Sequence, residues 1–91
     1  MKDLIQSKKL TSTQKNILKR MHSGEDLTFS KGGGWWIGND MTSGKLVNSL
    51  IRHCAISQDS FSSDKYQIYE INETGRFILE KGFFYIHKKL L

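Results

Sequence analysis

The sequence predicts a single α+β domain in the order helix, hairpin, helix, hairpin, helix. Its 91 residues are the length of one compact unit. Two stretches, following Thr11 and following Ser43, set apolar residues on one helical face. Two others, residues 27–38 and 54–71, join alternating or β-branched and aromatic runs through glycine-rich or polar turns.

The elements follow in order. Thr11 and Gln14 have capping-box spacing, in which the threonine oxygen accepts from a free N–H of the first turn and the glutamine returns a bond. Ile17, Leu18 and Met21 then share a face, and Gly24 supplies a stop, so a helix is expected over about residues 12–23. Leu27-Thr28-Phe29-Ser30 alternates with the strand period, Lys31 to Gly34 turns, and Trp35-Trp36-Ile37 favours a second strand. Asn39 to Ser43 is polar and offers helix caps. Leu46, Val47, Leu50, Ile51 and Cys54 make one apolar stripe, predicting an amphipathic helix over about residues 43–53. Cys54 at the end of that stripe is expected to be a buried structural thiol. A short strand at 54–57, a polar loop at 58–64 and an alternating strand at 66–71 form the second hairpin. A helix carrying Phe77, Ile78 and Leu79 follows and stops at Gly82. The organisation is thus a basic lead-in (1–9), one domain (10–82) and an apolar, basic tail (83–91) that reads as a strand or a further helical segment. The tail is expected either to close the core or to form a two-fold contact in a homodimer.

Composition narrows the classes. Apolar residues are 37% of the chain and aromatic residues 11%, enough for one small core. No apolar run approaches the roughly 20 residues of a membrane span, and residues 1–6 lack the apolar stretch of a secretory signal. The expectation is a cytoplasmic protein with no membrane partner. A single cysteine can form neither an internal disulfide nor a multi-thiolate zinc site. The net charge of +5 hints at nucleic acid. The positive charge lies at the two ends, in Lys2, Lys8, Lys9, Lys15, Lys19 and Arg20 and in Lys81, Lys88 and Lys89, whereas the middle of the chain is mildly acidic.

The order of elements and three local motifs resemble the small prokaryotic or phage-type winged helix-turn-helix domains. The motifs are Leu10-Thr11-Ser12-Thr13-Gln14 running to Leu18, then Leu46-Val47-Asn48-Ser49-Leu50-Ile51-Arg52, and Tyr69-Glu70-Ile71-Asn72-Glu73-Thr74-Gly75-Arg76. The resemblance covers roughly residues 10–81. It implies a winged-helix domain, helix–hairpin–helix–hairpin (the wing)–helix, with residues 43–53 in the major groove of double-stranded DNA and a wing at 58–65 beside the backbone. Carried over by position, Thr42, Ser43, Lys45, Asn48, Ser49 and Arg52 face DNA, with Lys65 on the wing. The sequence departs from such domains in two places. The hairpin 27–38 stands where they carry a second helix, and the wing holds Asp59 and Asp64.

The remaining candidates are weighed on their own chemistry. Arginine and asparagine, as at Arg52 and Asn48, suit guanine and adenine edges. Lys15 and Lys19 are four apart on one helical face and can meet phosphates. Adjacent strand residues point to opposite faces, so one of Trp35 and Trp36 is expected in the core and the other at the surface, where it can anchor a protein partner. Gly38 to Leu46 differs twice from a phosphate-binding loop: five residues separate the glycines, and Leu46 stands where a hydroxyl must bind magnesium. His22, His53, Cys54 and His87 match no metal-ligand spacing. Asn72-Glu73-Thr74 is a glycosylation acceptor that a cytoplasmic chain does not use. The expectation is therefore not an enzyme, with no cofactor and no metal. It is a DNA-binding transcriptional regulator of bacterial or mobile-element origin. The rival is a protein–protein interaction module on the same scaffold, such as a phage-type inhibitor of a host complex.

Overall fold

A computed structural model describes residues 4–60 and 65–87, and the side chains of residues 8–60 and 65–84. Among them the protein is a small α+β domain with three helices and a five-stranded antiparallel sheet. In chain order the elements are β1 (Leu4–Lys9), α1 (Ser12–His22), β2 (Leu27–Ser30), β3 (Gly34–Ile37), β4 (Asp40–Thr42), α2 (Gly44–Arg52), β5 (Ile56–Gln58), β6 (Tyr66–Ile71), α3 (Glu73–Lys81) and β7 (Phe83–His87). Residues 1–3, residues 61–64 with Asp64 of the expected wing, and residues 88–91 lie outside the described residues.

Helix α1 starts where its capping box predicts. Thr11 Oγ1 accepts from the Gln14 N–H at 3.0 Å, and Gln14 Oε1 accepts from the Thr11 N–H at 3.1 Å. Two of the orphan donors of a helix start are thereby satisfied. Ile17, Leu18 and Met21 then point inward together. Strands β2 and β3 pair Leu27 with Ile37 and Phe29 with Trp35. Beyond this expected hairpin the sheet continues on both sides, in the order β4-β3-β2-β6-β5. The segment expected to supply only caps instead adds a third strand, β4, with Met41 opposite Trp36. The junction β2–β6 places Leu27 opposite Tyr69, and it joins two segments that no local pattern connects.

The helices pack on one face of this sheet. Leu27, Ile37, Val47, Leu50, Ala55, Ile56 and Ile78 are buried between the layers with the apolar face of α1. Each of the leucine, isoleucine and valine side chains contributes about 1.5–3 kcal/mol relative to exposure. Helix α3 approaches the chain at Ala55 so closely that a Cβ on Gly75 would lie 2.0 Å from the Ala55 carbonyl oxygen. Only glycine permits that approach, which explains the glycine of the Thr-Gly-Arg motif.

The lead-in and the tail are each other's partner. Gly82, at φ +81°, ends α3 in the left-handed region, and its N–H bonds to the Ile78 carbonyl at 2.8 Å. The chain then runs as β7 antiparallel to β1, from Phe83 opposite Lys9 to His87 opposite Leu4, with an irregularity between Gln6 and Lys8. Phe84 is fully buried, so this part of the tail closes the core.

Cys54 is not where its spacing predicts. Helix α2 ends at Arg52 with His53 as cap, and Cys54 takes a left-handed conformation at φ +58°. The turn rotates the thiol off the helical stripe into solvent, and Ala55 is buried in its stead.

Candidate nucleic-acid interface

The amphipathic pattern of α2 sorts its side chains into two sets. Val47 and Leu50 are fully buried, while Lys45, Asn48 and Arg52 are exposed. Positions i, i+3 and i+7 share one helical face. With Gly44 and the half-buried Ile51, these three line a shallow, open depression. An ammonium, an amide and a guanidinium along one face can meet phosphates and base edges together. At the head of the helix Ser43 is extended and its hydroxyl makes no capping bond, and the first turn holds no acidic residue. That end of α2 is therefore electrostatically favourable to an anion.

Ser49, expected on the same face, is buried to 7% exposure. The His53 ring folds back over that turn, with Nδ1 2.8 Å from the Ser49 carbonyl oxygen. The same ring stacks on Phe84, with centroids 4.0 Å apart. The end of α2 and the tail thus meet through His53 and Phe84, a contact that helix periodicity alone does not contain. Thr42 lies on β4 opposite Trp35 and is half-buried, two residues ahead of the helix. Lys65 is exposed just before β6, and Lys15 and Lys19 are exposed on α1.

One side chain outside the expected set links these groups. Gln14 is 2% exposed, and beyond its capping bonds its Nε2 donates to the Leu46 carbonyl at 3.2 Å. The bond joins the first turn of α1 to the first turn of α2. Lys15 and Lys45 are the sequence neighbours of the bonded pair, and both are exposed. A glutamine at the third position of a capping box is legible in sequence; its third bond depends on packing.

Arg20 belongs elsewhere. Its Nε and Nη2 donate to the two Glu25 oxygens at 2.8 and 2.7 Å, and Nη1 donates to Asp40 Oδ2 at 2.8 Å. The hydrogen bond from Arg20 holds the Glu25 carboxyl below its ordinary value. Bonds from Glu25 and then Asp40 raise the Arg20 value. The guanidinium is thus committed to the protein rather than offered to a phosphate.

The two tryptophans divide between the sheet faces, as alternation requires, and both are half-buried. Trp35 packs against the core, its ring 4.9 Å from Phe29 and 5.3 Å from Tyr69. Trp36 lies on the opposite face, its Nε1 donating to the Gly33 carbonyl at 2.9 Å. No helix among the described residues is long and apolar enough to cross a membrane, and these residues contain no cluster of three or more His, Cys, Asp or Glu side chains able to hold a metal ion. No protein-family model, curated protein or solved structure matches the chain.

Proposed function

We propose that this is a winged-helix DNA-binding domain acting as a small transcriptional regulator, a binding protein and not an enzyme. The observation that carries the reading is the exposed row Lys45, Asn48 and Arg52 on the outer face of α2. In this reading α2 enters the major groove, and the β5–β6 hairpin with Lys65 lies beside the backbone as the wing. Thr42 and Ser43 flank the groove at the head of the helix. Lys15, the sequence neighbour of Gln14, and Lys19 add phosphate contacts from α1. Ser49 has no part in the contact, because it is buried.

The test is fluorescence anisotropy on mixed-sequence duplexes across a salt series. Affinity is expected to fall with salt through counterion release. Lys45→Ala should reduce the salt slope by about 1, and Arg52→Ala should cost about 1–3 kcal/mol and relax sequence preference. Absence of duplex binding at low salt would refute the reading and shift it to a protein-interaction module on the same scaffold.

A further inference from the structure

The strand register sets two lysines side by side on the helix-facing side of the sheet. Strands β2 and β6 pair Leu27 with Tyr69 and Phe29 with Gln67, and the same register, two residues on, brings Lys31 opposite Lys65. The Lys31 N–H donates to the Lys65 carbonyl at 3.2 Å, so the pairing continues to that point. Residues two apart on a strand share a face. Both lysines therefore stand on the side of Leu27, Phe29 and Tyr69, which the helices cover, and both are exposed. One residue beyond the Leu27–Tyr69 pair, at the other end of the strands, Asp26 and Glu70 alternate to the outer face. The β2–β6 ladder thus holds its lysines on the side of α2 and its carboxylates on the other.

The lysine pair works against the fold. Like charges directly opposite on an antiparallel pair, with Cβ atoms about 5 Å apart, are destabilising. The next pair on that face, Phe29 and Gln67, is uncharged, and neither lysine forms an ion pair among the described residues. A local arrangement that costs stability is expected at a functional surface, where a ligand supplies the missing charge.

The pair is also continuous with the head of α2. A Cβ on Gly44, the first residue of that helix, would lie 3.1 Å from Trp35 Cδ1. Trp35 is opposite Phe29, and Phe29 is two residues from Lys31. Strand spacing and rise put the Lys31 and Lys65 backbones about 8 and 12 Å from that of Trp35, comparable with the major-groove width of about 12 Å. At Gly32 and Gly34 a Cβ would meet nothing within 4 Å, so the turn after Lys31 leaves open space for a partner's backbone.

We propose that Lys31 and Lys65 together clamp a DNA backbone phosphate beside the groove that α2 enters, which makes the β2–β3 turn a second wing next to the β5–β6 hairpin. This rests on the DNA reading of α2 and extends it to a turn outside the row Lys45, Asn48 and Arg52.

The test is the salt dependence of affinity for mixed-sequence duplexes, read by fluorescence anisotropy. Lys31→Gln and Lys65→Gln remove the charge and keep most of the stem. Each should reduce the slope of log affinity against log salt by about 0.9, and the double variant by about twice that. The loss should be uniform across sequences, and Lys31→Arg should restore the slope. The thermal midpoint of each Gln variant should be unchanged or raised, because a like-charge contact is relieved. A wild-type protein that binds no duplex at low salt would remove the reading of α2 and the clamp with it. A slope that falls with Lys45→Ala but stays at the wild-type value in Lys31→Gln would overturn the clamp alone. So would a Lys31→Gln protein that loses affinity together with thermal stability, the mark of a structural lysine.

Discussion

The Nε2 of Gln14 donates to the carbonyl oxygen of Leu46 at 3.2 Å, across 32 residues of chain. The same amide closes the capping box of α1 through its oxygen. One buried side chain thus both starts a helix and sets the position of the next helix relative to it. Gln14→Ala removes all side-chain bonds at once and is expected to cost about 1–3 kcal/mol. In urea the midpoint should fall with an unchanged slope. A loss under about 0.5 kcal/mol would show that the clamp is not energetically significant.

Gly75 tests the packing of α3. A Cβ there would lie 2.0 Å from the Ala55 carbonyl oxygen and 2.7 Å from Ile71 Cγ1. The backbone carbonyl cannot yield without moving α3 or the segment that leads into β5. Gly75→Ala is therefore expected to destabilise by about 3 kcal/mol, despite the better helix propensity of alanine. Thermal or urea unfolding measures it, and a neutral or stabilised variant would contradict the close approach.

The Arg20–Glu25 pair predicts the acid limb of stability. The folded-state value of Glu25 is lowered by the Arg20 hydrogen bond. Its contribution is therefore present above the ordinary carboxylate value and is lost as pH falls through the lowered one. Arg20 is raised, which leaves it protonated throughout and adds no titration in this range. Glu25→Gln should be less stable than wild type near neutrality, and the two unfolding curves should converge at low pH. A difference independent of pH would refute the assignment.

Cys54 is exposed and left-handed, so an aromatic disulfide reagent should label it in the native protein at a rate near that of the unfolded chain. Glycine adopts φ +58° without the Cβ penalty. Cys54→Gly is thus expected to be neutral or to stabilise by about 0.5–1 kcal/mol. Slow native labelling would return the thiol to the interior.

Local chemistry made much of this protein legible. The capping box of Thr11 and Gln14, the stripe of Leu46, Val47 and Leu50, the alternation of Tyr66 to Ile71 and the stop at Gly82 are each written within a few residues. The corresponding helices and strands form close to where those patterns lie. The exposure of Lys45, Asn48 and Arg52 follows from the same 3.6-residue period. Other features depended on segments distant in sequence. Asp40 to Thr42 becomes a strand because β3 offers it an edge, and Leu4 to Lys9 becomes one because β7 does. Arg20 leaves the basic surface because the β3–β4 turn brings Asp40 beside Glu25. Ser49 leaves the candidate interface because the folded chain buries it. Cys54 leaves the core because the helix ends two residues before it and the chain turns there. Periodicity describes which way a side chain points from its own backbone; whether that direction meets solvent, a charge or another layer is decided by the rest of the chain once it has folded.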